Sequence, residues 1–216
     1  MHPYELIIFD WDGTLMDSTE LIAASLQAAC ADLGLAVPSD GDARFVIGLN
    51  LADTLDHVAP GLDAARQQRL VERYRHHFLA REEAPLFEGI PELIAELHQR
   101  GQRLAVATGK ARHGLDRALA STGLGRFFEA TRCADEGFSK PHPGMLLALL
   151  DATGVEARRA VMVGDTTHDL ELAANAGVDG VAVLYGAHHP ELLDTRSAVA
   201  RCATVGELRA WLTRSA

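Results

Sequence analysis

The chain has 216 residues, of which 48% are hydrophobic and 23% are charged, and its formal net charge is -10. This length supports one sizeable core with a smaller accessory unit, and the acidic balance argues against a general nucleic-acid or membrane-surface binder, because anionic phosphates would be repelled. No apolar stretch approaches membrane-spanning length and the first residues do not resemble a signal peptide, so we expect a cytoplasmic protein.

The first predicted strand, residues 5–9, is followed directly by two acidic residues, Asp10 and Asp12. The run Leu6-Ile7-Ile8-Phe9 is apolar throughout, which is typical of a buried strand, and Gly13-Thr14 comes after the acids. An ordinary Asp/Gly turn explains an isolated Asp-x-Asp equally well. The whole pattern Asp-x-Asp-Gly-Thr after a strand favours a functional site at the edge of a sheet.

The segment between residues 18 and 84 has helical periodicity without a strand pattern. One apolar stripe begins at Leu21 and a second begins at Leu70. An insertion of this size after the acidic pair is expected to lie over the carboxyl end of the sheet. We therefore predict a helical cap over residues 17–84 and a catalytic core made of residues 1–16 and 85–216.

Beyond this segment, strand and helix patterns alternate. Predicted strands cover residues 103–107, 128–131, 160–163 and 180–184, and predicted helices cover residues 91–100, 112–122, 143–153, 169–176 and 204–212. Nearly continuous apolar strands that alternate with helices indicate a parallel sheet covered on both faces. The predicted fold class is therefore an open α/β fold with an inserted α-helical cap.

Two later strand ends carry polar residues. Thr108-Gly109-Lys110 ends the second strand, and its hydroxyl and amides suit a phosphate, although a threonine cap with a turn glycine is the simpler interpretation. Asp165 and Asp169 follow the fourth strand, where helix capping alone would explain them. If Asp10, Asp12 and Asp165 converge, repulsion of about 4 kcal/mol per pair requires a cation, and all-oxygen ligands select Mg²⁺.

Lysine occurs at only two of the 20 basic positions, Lys110 and Lys140, and all the others are arginine. This usage hints that a compact ammonium is required at those two places. Lys140 lies in a loop stiffened by Pro141, just before the fourth strand, where a surface lysine is the alternative explanation.

The order of these motifs resembles the haloacid dehalogenase-like hydrolase superfamily over essentially the full chain. The matching residues are Asp10-x-Asp12-Gly13-Thr14, Thr108, Lys140-Pro141 and Gly164-Asp165-x-x-x-Asp169. Within the superfamily the chain is most similar to phosphoglycolate phosphatase-like members with a small helical cap. The resemblance implies a Rossmann-like core with the first strand flanked by the second and fourth. Gly109 departs from the pattern, since many relatives have a polar side chain there and only a backbone amide can serve here.

The resemblance also implies a role for each motif residue. Asp10 would attack phosphorus and form an aspartyl-phosphate, and Asp12 would protonate the leaving oxygen and then activate water. By the same resemblance, the metal would be bound by Asp10, Asp165 and the backbone carbonyl of Asp12. The phosphate would be bound by Thr108, Gly109 and Lys140. Thr14 and Asp169 would support the site, and Asp169 would either orient the metal shell or pair with Lys140.

Asp12 favours phosphate chemistry, because members that cleave carbon–halogen bonds typically lack an acid at this position. The predicted function is a Mg²⁺-dependent phosphatase of a small phosphorylated metabolite, with 2-phosphoglycolate as a candidate. A phosphomutase and a non-catalytic binding module are the alternatives. No nucleic-acid or membrane partner is expected, and the sequence sets no oligomeric state, since cap and dimerisation helices share the same stripe.

Cap residues would contact the leaving group, although a solvated helix face explains each candidate as well. The candidates are Arg44, Asn50 and His76, together with Arg73, Arg75 and His77. We expect His142 and His168 at neighbouring surface positions, because the acids already satisfy Mg²⁺. Gly48 is expected to mark a bend where the cap approaches the core.

Overall fold

The computed structural model describes residues 4–81 and 84–214, and the strands in this part of the chain form one parallel sheet. The strands are β1 (Leu6–Phe9), β2 (Arg103–Thr108), β3 (Ala130–Cys133), β4 (Ala160–Gly164), β5 (Asp179–Val183) and β6 (Ala200–Cys202). The α-helices are α1 (Thr19–Asp32), α2 (Asp40–Phe45), α3 (Leu51–Val58), α4 (Ala64–Leu79), α5 (Ile90–Gln99), α6 (Arg112–Thr122), α7 (Gly144–Thr153), α8 (Thr167–Asn175), α9 (Pro190–Asp194) and α10 (Val205–Thr213).

The first strand is central in the sheet, whose order is β3-β2-β1-β4-β5-β6. Phe9, the last residue of β1, lies opposite Val106 of β2 and Val163 of β4. All neighbouring strands are parallel, so their carboxyl ends meet at one edge, where ligands bind in open α/β sheets. The predicted α/β class and the predicted position of the first strand are confirmed.

Helices cover both faces of the sheet. Side chains alternate along β1, so Ile7 and Phe9 join one buried cluster with the helices α5, α6 and α10, whereas Leu6 and Ile8 join another with α7 and α8. All four β1 residues are fully buried, which explains their continuous apolar character. Among the described helices, none combines the length and the apolar character needed to cross a membrane.

Two parts of the sheet differ from the prediction. Strand β3 lies two residues later than predicted, because residues 124–127 form a 3₁₀ turn and Phe127 and Phe128 pack against the core before the strand begins. Strand β6 was not predicted: it has three residues at the sheet edge, with only Cys202 buried, so it has no apolar run. The predicted last helix is present, with Leu208 and Leu212 buried in the core and Trp211 partly buried against it.

Four helices, α1 to α4, occupy the chain between β1 and α5 and pack on each other. Cys30 of α1 lies in a buried cluster with Leu55 of α3 and Leu70 of α4. Met16 forms an isolated antiparallel bridge with Leu86, so the points where the chain leaves and rejoins the core lie side by side. We propose on this basis that the helices form a cap with the predicted boundaries at residues 17 and 84.

Candidate active site

Three polar residues predicted for the site lie side by side at the carboxyl edge of the sheet. Asp10 follows β1, Thr108 ends β2 and Asp165 follows β4. Because β1 lies between β2 and β4, the sheet order itself brings these residues together. Asp10 and Asp165 are 0% exposed and Thr108 is 1% exposed. Burying two carboxylates this completely is costly unless other groups compensate their charge.

Asp10 has a partner at one of its two oxygens. Lys140 Nζ lies 2.8 Å from Asp10 Oδ1, whereas Oδ2 has no hydrogen-bond donor among the described residues. Burial raises the pKa of Asp10 to about 7; Lys140 opposes this shift, and the nearby charges of Asp169 and Asp12 add to it. A buried carboxylate with free lone pairs is suited to bind a cation or to attack an electrophile.

Lys140 is buried between two acids. Its Nζ lies 2.6 Å from Asp169 Oδ1, and both side chains have essentially no exposure. Asp169 Oδ2 accepts hydrogen bonds from the backbone N–H of Thr166 at 3.1 Å and from its hydroxyl at 2.7 Å. Burial alone would lower the pKa of Lys140, but the attraction of Asp10 and Asp169 outweighs it and raises that pKa. The pairing of Asp169 with Lys140 is one of the two arrangements that the sequence suggested.

Asp165 is fixed by hydrogen bonds to both of its oxygens. The Thr14 hydroxyl donates to Oδ1 at 2.7 Å, and the Ala187 backbone N–H donates to Oδ2 at 2.7 Å. Burial and the charge of Asp10 raise its pKa well above the usual range. A Cβ at Gly13 or Gly186 would lie 2.2 or 2.3 Å from Asp165 atoms, so both positions must be glycine.

The loop after β5 was not predicted as part of the site. It supplies the Ala187 donor and the close approach of Gly186, about 20 residues after Asp165. The sequence signal was weak, because the glycine in this loop looks like any turn glycine.

Three carboxylates are close enough to share one metal ion. Oxygen atoms of Asp10, Asp165 and Asp169 all lie within 4.8 Å of one another. The donor set is all-oxygen, three carboxylates share the single cation Lys140, and Asp10 Oδ2 has no hydrogen-bond donor among the described residues. These features fit a hard cation such as Mg²⁺. The Asp12 carboxylate is not in this group, so a metal role through its backbone carbonyl stays a prediction.

Asp12 is held by Lys110 and Ser18. Lys110 Nζ lies 2.8 Å from each Asp12 oxygen, and the Ser18 hydroxyl donates to Oδ1 at 2.6 Å. The ring of Phe78, on cap helix α4, lies under the same ammonium at 5.4 Å. Lys110 and Ser18 were missing from the predicted site. The rarity of lysine pointed to Lys110, whereas a serine before a helix carries no distinctive signal.

The cap chain passes directly over Gly109. A Cβ at Gly109 would lie 2.4 Å from the backbone oxygen of Gly48 and 2.7 Å from that of Leu49. The close passage of cap backbone therefore leaves no room for a side chain at this position. Gly48 has a φ of +93°, which confirms the predicted bend. Beside it, Asn50 Nδ2 donates to the Ser139 hydroxyl of the core at 2.7 Å.

Two core histidines meet one cap carbonyl. His168 Nε2 and His188 Nε2 lie 2.8 and 2.9 Å from the Phe45 backbone oxygen, and both rings contact the Phe45 ring. The expected surface position of His168 is wrong: this side chain is buried under the cap, and burial lowers the pKa of both histidines. These contacts join α2 to the first turn of α8 and to the loop after β5.

A cavity of about 230 Å³ lies between cap and core. Asp10, Asp12, Thr108 and Lys110 line its core side. Its cap side is mainly apolar and is formed by Ile22, Leu26, Val46, Ile47, Leu49, Leu51, Tyr74, Phe78 and Leu79, together with Arg75 and other residues.

Most of the polar cap residues predicted to contact the leaving group lie outside this cavity. Arg44 pairs with Asp40, and His76 is exposed. Asn50 caps α3 and bonds Ser139. Arg73 and His77 both pair with Asp32 elsewhere in the cap. Of the six candidates, Arg75 alone lines the cavity, so a substrate role for Arg44, Asn50 or His76 stays a prediction that these positions do not support.

Comparison with known proteins gives a consistent family. The family model described as "Haloacid dehalogenase-like hydrolase" matches residues 7–183. Tyrosine-protein kinase PtkA of Mycobacterium tuberculosis is 37% identical over 210 residues, 95% of this chain and 71% of that protein. Phosphoglycolate phosphatase of Caulobacter vibrioides is 35% identical over 187 residues, 83% and 79% of the two chains. The crystal structure of a "predicted phosphatase" from Clostridium acetobutylicum superposes with a TM-score of 0.83 at 25% identity, covering 95% of this chain and 96% of that one.

Proposed function

The chain belongs to the haloacid dehalogenase-like hydrolase family and is a phosphatase of the phosphoglycolate phosphatase-like group, and we propose that it hydrolyses a small phosphomonoester with Mg²⁺ through an aspartyl-phosphate on Asp10. The observation that supports this most is the state of Asp10. It is fully buried, its Oδ1 faces the Lys140 ammonium at 2.8 Å, and its Oδ2 has no hydrogen-bond donor among the described residues. Such a carboxylate is held by one oxygen and has the other available for an incoming phosphorus atom.

In the first step an Asp10 oxygen forms a bond to phosphorus while the bond from phosphorus to the ester oxygen breaks. Asp12, which must be in its protonated form at this step, gives its proton to that leaving oxygen, so an alcohol departs. Thr108, the Gly109 amide and Lys140 hold the phosphoryl oxygens. Lys140 also keeps the Asp10 carboxylate oriented from its buried position beside Asp169.

In the second step Asp12, now ionised, takes a proton from water as that water attacks phosphorus. The bond between Asp10 and phosphorus breaks, which releases inorganic phosphate and restores the carboxylate. Asp10 and Asp165, with the Asp12 backbone carbonyl, would hold Mg²⁺, and Asp169 would support them. When bound there, the ion offsets the charge of the clustered acids and of the phosphoryl group.

The candidate substrate from the relatives is 2-phosphoglycolate. A protein named phosphoglycolate phosphatase is 35% identical to this chain over 83% of its length. The direct test is release of inorganic phosphate from a panel of phosphorylated metabolites, with Mg²⁺ and with EDTA. We expect release only with Mg²⁺. Isomerisation of a sugar phosphate without release, dependent on a bisphosphate, would identify a phosphomutase instead.

Transfer of a phosphoryl group to tyrosine is the second candidate, and the 37% identity to a tyrosine-protein kinase favours it. Incubation with ATP and a tyrosine-containing protein separates the two functions. A phosphatase releases phosphate from monoesters and leaves tyrosine unmodified, whereas a kinase forms phosphotyrosine.

A further inference from the structure

The two sides of the cavity beside Asp10 differ in polarity, because the cap side is mainly apolar and the core side carries the acids. The cap side presents Ile22, Leu26 and Leu49 together with the rings of Tyr74 and Phe78. In the described part of the chain, the acids on the cavity wall are Asp10 and Asp12, which belong to the chemistry. The basic residues on the wall are Arg75 on the cap side and Lys110, His113 and Arg117 on the core side. A leaving group that enters this cavity therefore meets a mainly apolar surface on its cap side.

The size of the cavity suits a ring. Its volume is about 230 Å³. For comparison, an apolar cavity of about 150 Å³ is enough to bind benzene. The space thus holds a phosphoryl group and, next to it, a leaving group of about the size of an aromatic ring.

Phe78 connects this apolar wall to the acid/base residue. Its ring lies 5.4 Å from Lys110 Nζ, and Lys110 holds both oxygens of Asp12 at 2.8 Å. Tyr74, one turn earlier on α4, has its ring centroid 5.9 Å from that of Phe78. The two rings form one aromatic face next to the point where the leaving oxygen must receive its proton.

We propose that the enzyme selects phosphomonoesters of aromatic or similarly bulky apolar alcohols, and that Phe78 and Tyr74 are the residues that determine this specificity. This inference rests on the proposed phosphatase function and narrows its substrate class. A glycolate leaving group is small and charged, so it would leave the apolar face in contact with water. It would also need a cation for its carboxylate, and Arg75 is the candidate on the cap side of the cavity.

The test compares benzyl phosphate, ethyl phosphate and 2-phosphoglycolate. Benzyl and ethyl alcohol are leaving groups of similar basicity, so the ratio of their kcat/KM values reports contacts with the ring and not intrinsic reactivity. We expect kcat/KM for benzyl phosphate to exceed kcat/KM for ethyl phosphate by about tenfold or more. The value for benzyl phosphate should also exceed the value for 2-phosphoglycolate.

Variants at one position link the preference to α4. Phe78→Ala should lower the ratio of kcat/KM for benzyl phosphate to kcat/KM for ethyl phosphate about tenfold, because any effect through Lys110 acts on both esters alike, whereas Phe78→Leu keeps most of the ratio. Phe78→Trp, which fills the cavity, should also reduce the ratio, and it covers the case in which the alanine variant does not fold. Leu147→Ala, at a position that is 50% exposed and off the cavity, is the control and should leave the ratio unchanged.

Three results would overturn the inference. Equal kcat/KM values for benzyl and ethyl phosphate would show that the apolar wall does not discriminate between an aromatic and a small leaving group. A preference for 2-phosphoglycolate that Arg75→Ala removes would show that the site selects charge. Absence of phosphate release from every monoester would contradict the proposed function itself, and the substrate class with it.

Discussion

Lys110 and Asp12 form a two-point ion pair, with Nζ of the lysine 2.8 Å from each oxygen of the carboxylate. Both side chains are mostly buried, at 13% and 10% exposure. The pair links the turn after β2 to the turn after β1, and Phe78 of the cap lies against it. Lys110 thus acts as a positioning residue for the acid/base group of the proposed reaction.

Replacing Lys110 with methionine should lower kcat/KM about 10- to 100-fold, because the Asp12 carboxylate loses the partner that fixes its direction. Lys110→Arg should retain only part of the wild-type kcat/KM, since a planar guanidinium does not fit the space of a compact ammonium. Steady-state kinetics with and without Mg²⁺ measure both effects. Wild-type kinetics in Lys110→Met would remove Lys110 from the site.

Replacing Lys140 with methionine should destabilise the metal-free protein by about 3–5 kcal/mol, because Asp10 and Asp169 would remain buried without their shared cation. Urea denaturation in EDTA measures the free energy of unfolding. Arg158→Met is the control: its pair with Glu156 is exposed at 79% and 64%, so the expected loss is below about 1 kcal/mol. Equal losses in the two variants would contradict the buried ion-pair account.

The metal-free protein should lose stability as pH rises from about 4 to 7. The pKa of Asp10 is about 7 in the fold and 3.8 ordinarily, so over this window the folded state keeps a proton that the unfolded chain has released. The free energy of unfolding therefore falls with rising pH, by at most about 4 kcal/mol. Asp10→Asn should lack this contribution.

Comparing the two proteins isolates the pH dependence that requires the Asp10 carboxylate, which includes the part of the raised Asp165 pKa that the charge of Asp10 causes. His168 and His188 have lowered pKa values and act with the opposite sign, but they are common to both proteins. Urea denaturation in EDTA at several pH values provides the measurement. Parallel pH profiles for wild type and Asp10→Asn would show that the Asp10 pKa is not raised.

Gly109→Ser should place a polar side chain beside the proposed phosphate site and yet impair the enzyme. A Cβ there would lie 2.4 Å from the Gly48 backbone oxygen, so the cap loop must move away from the site. We expect kcat/KM to fall by at least about tenfold, with the fold retained. Gly206→Ala, in α10, meets only a contact of 3.7 Å and should leave kcat/KM unchanged. An active Gly109→Ser variant would mean that the cap does not close this tightly.

The catalytic edge of the sheet was predictable because its residues follow apolar strands. Strand β1 is buried on both faces, which makes its apolar run unambiguous, and Asp10 stands directly after it. Parallel pairing then places Asp165 beside it without further information. Local pattern and sheet topology are sufficient for this part of the site.

The contacts between cap and core were not predictable in the same way. Phe45 meets His168 and His188 across more than 120 residues of sequence, and Gly48 meets Gly109 through backbone atoms. Neither contact leaves a local periodicity or spacing in the sequence. For the same reason the cap candidates chosen for polarity lie mostly off the cavity, whose cap wall is mainly apolar.

The most direct test of an aspartyl-phosphate on Asp10 is a burst experiment on the Asp12→Asn variant with 4-nitrophenyl phosphate. This leaving group needs no proton, so the first step proceeds, while the second step lacks its base. We expect a burst of 4-nitrophenolate equal to the enzyme concentration and a phosphoryl group on the peptide that contains Asp10. No burst, no phosphorylated peptide and continued turnover by Asp10→Asn would contradict it.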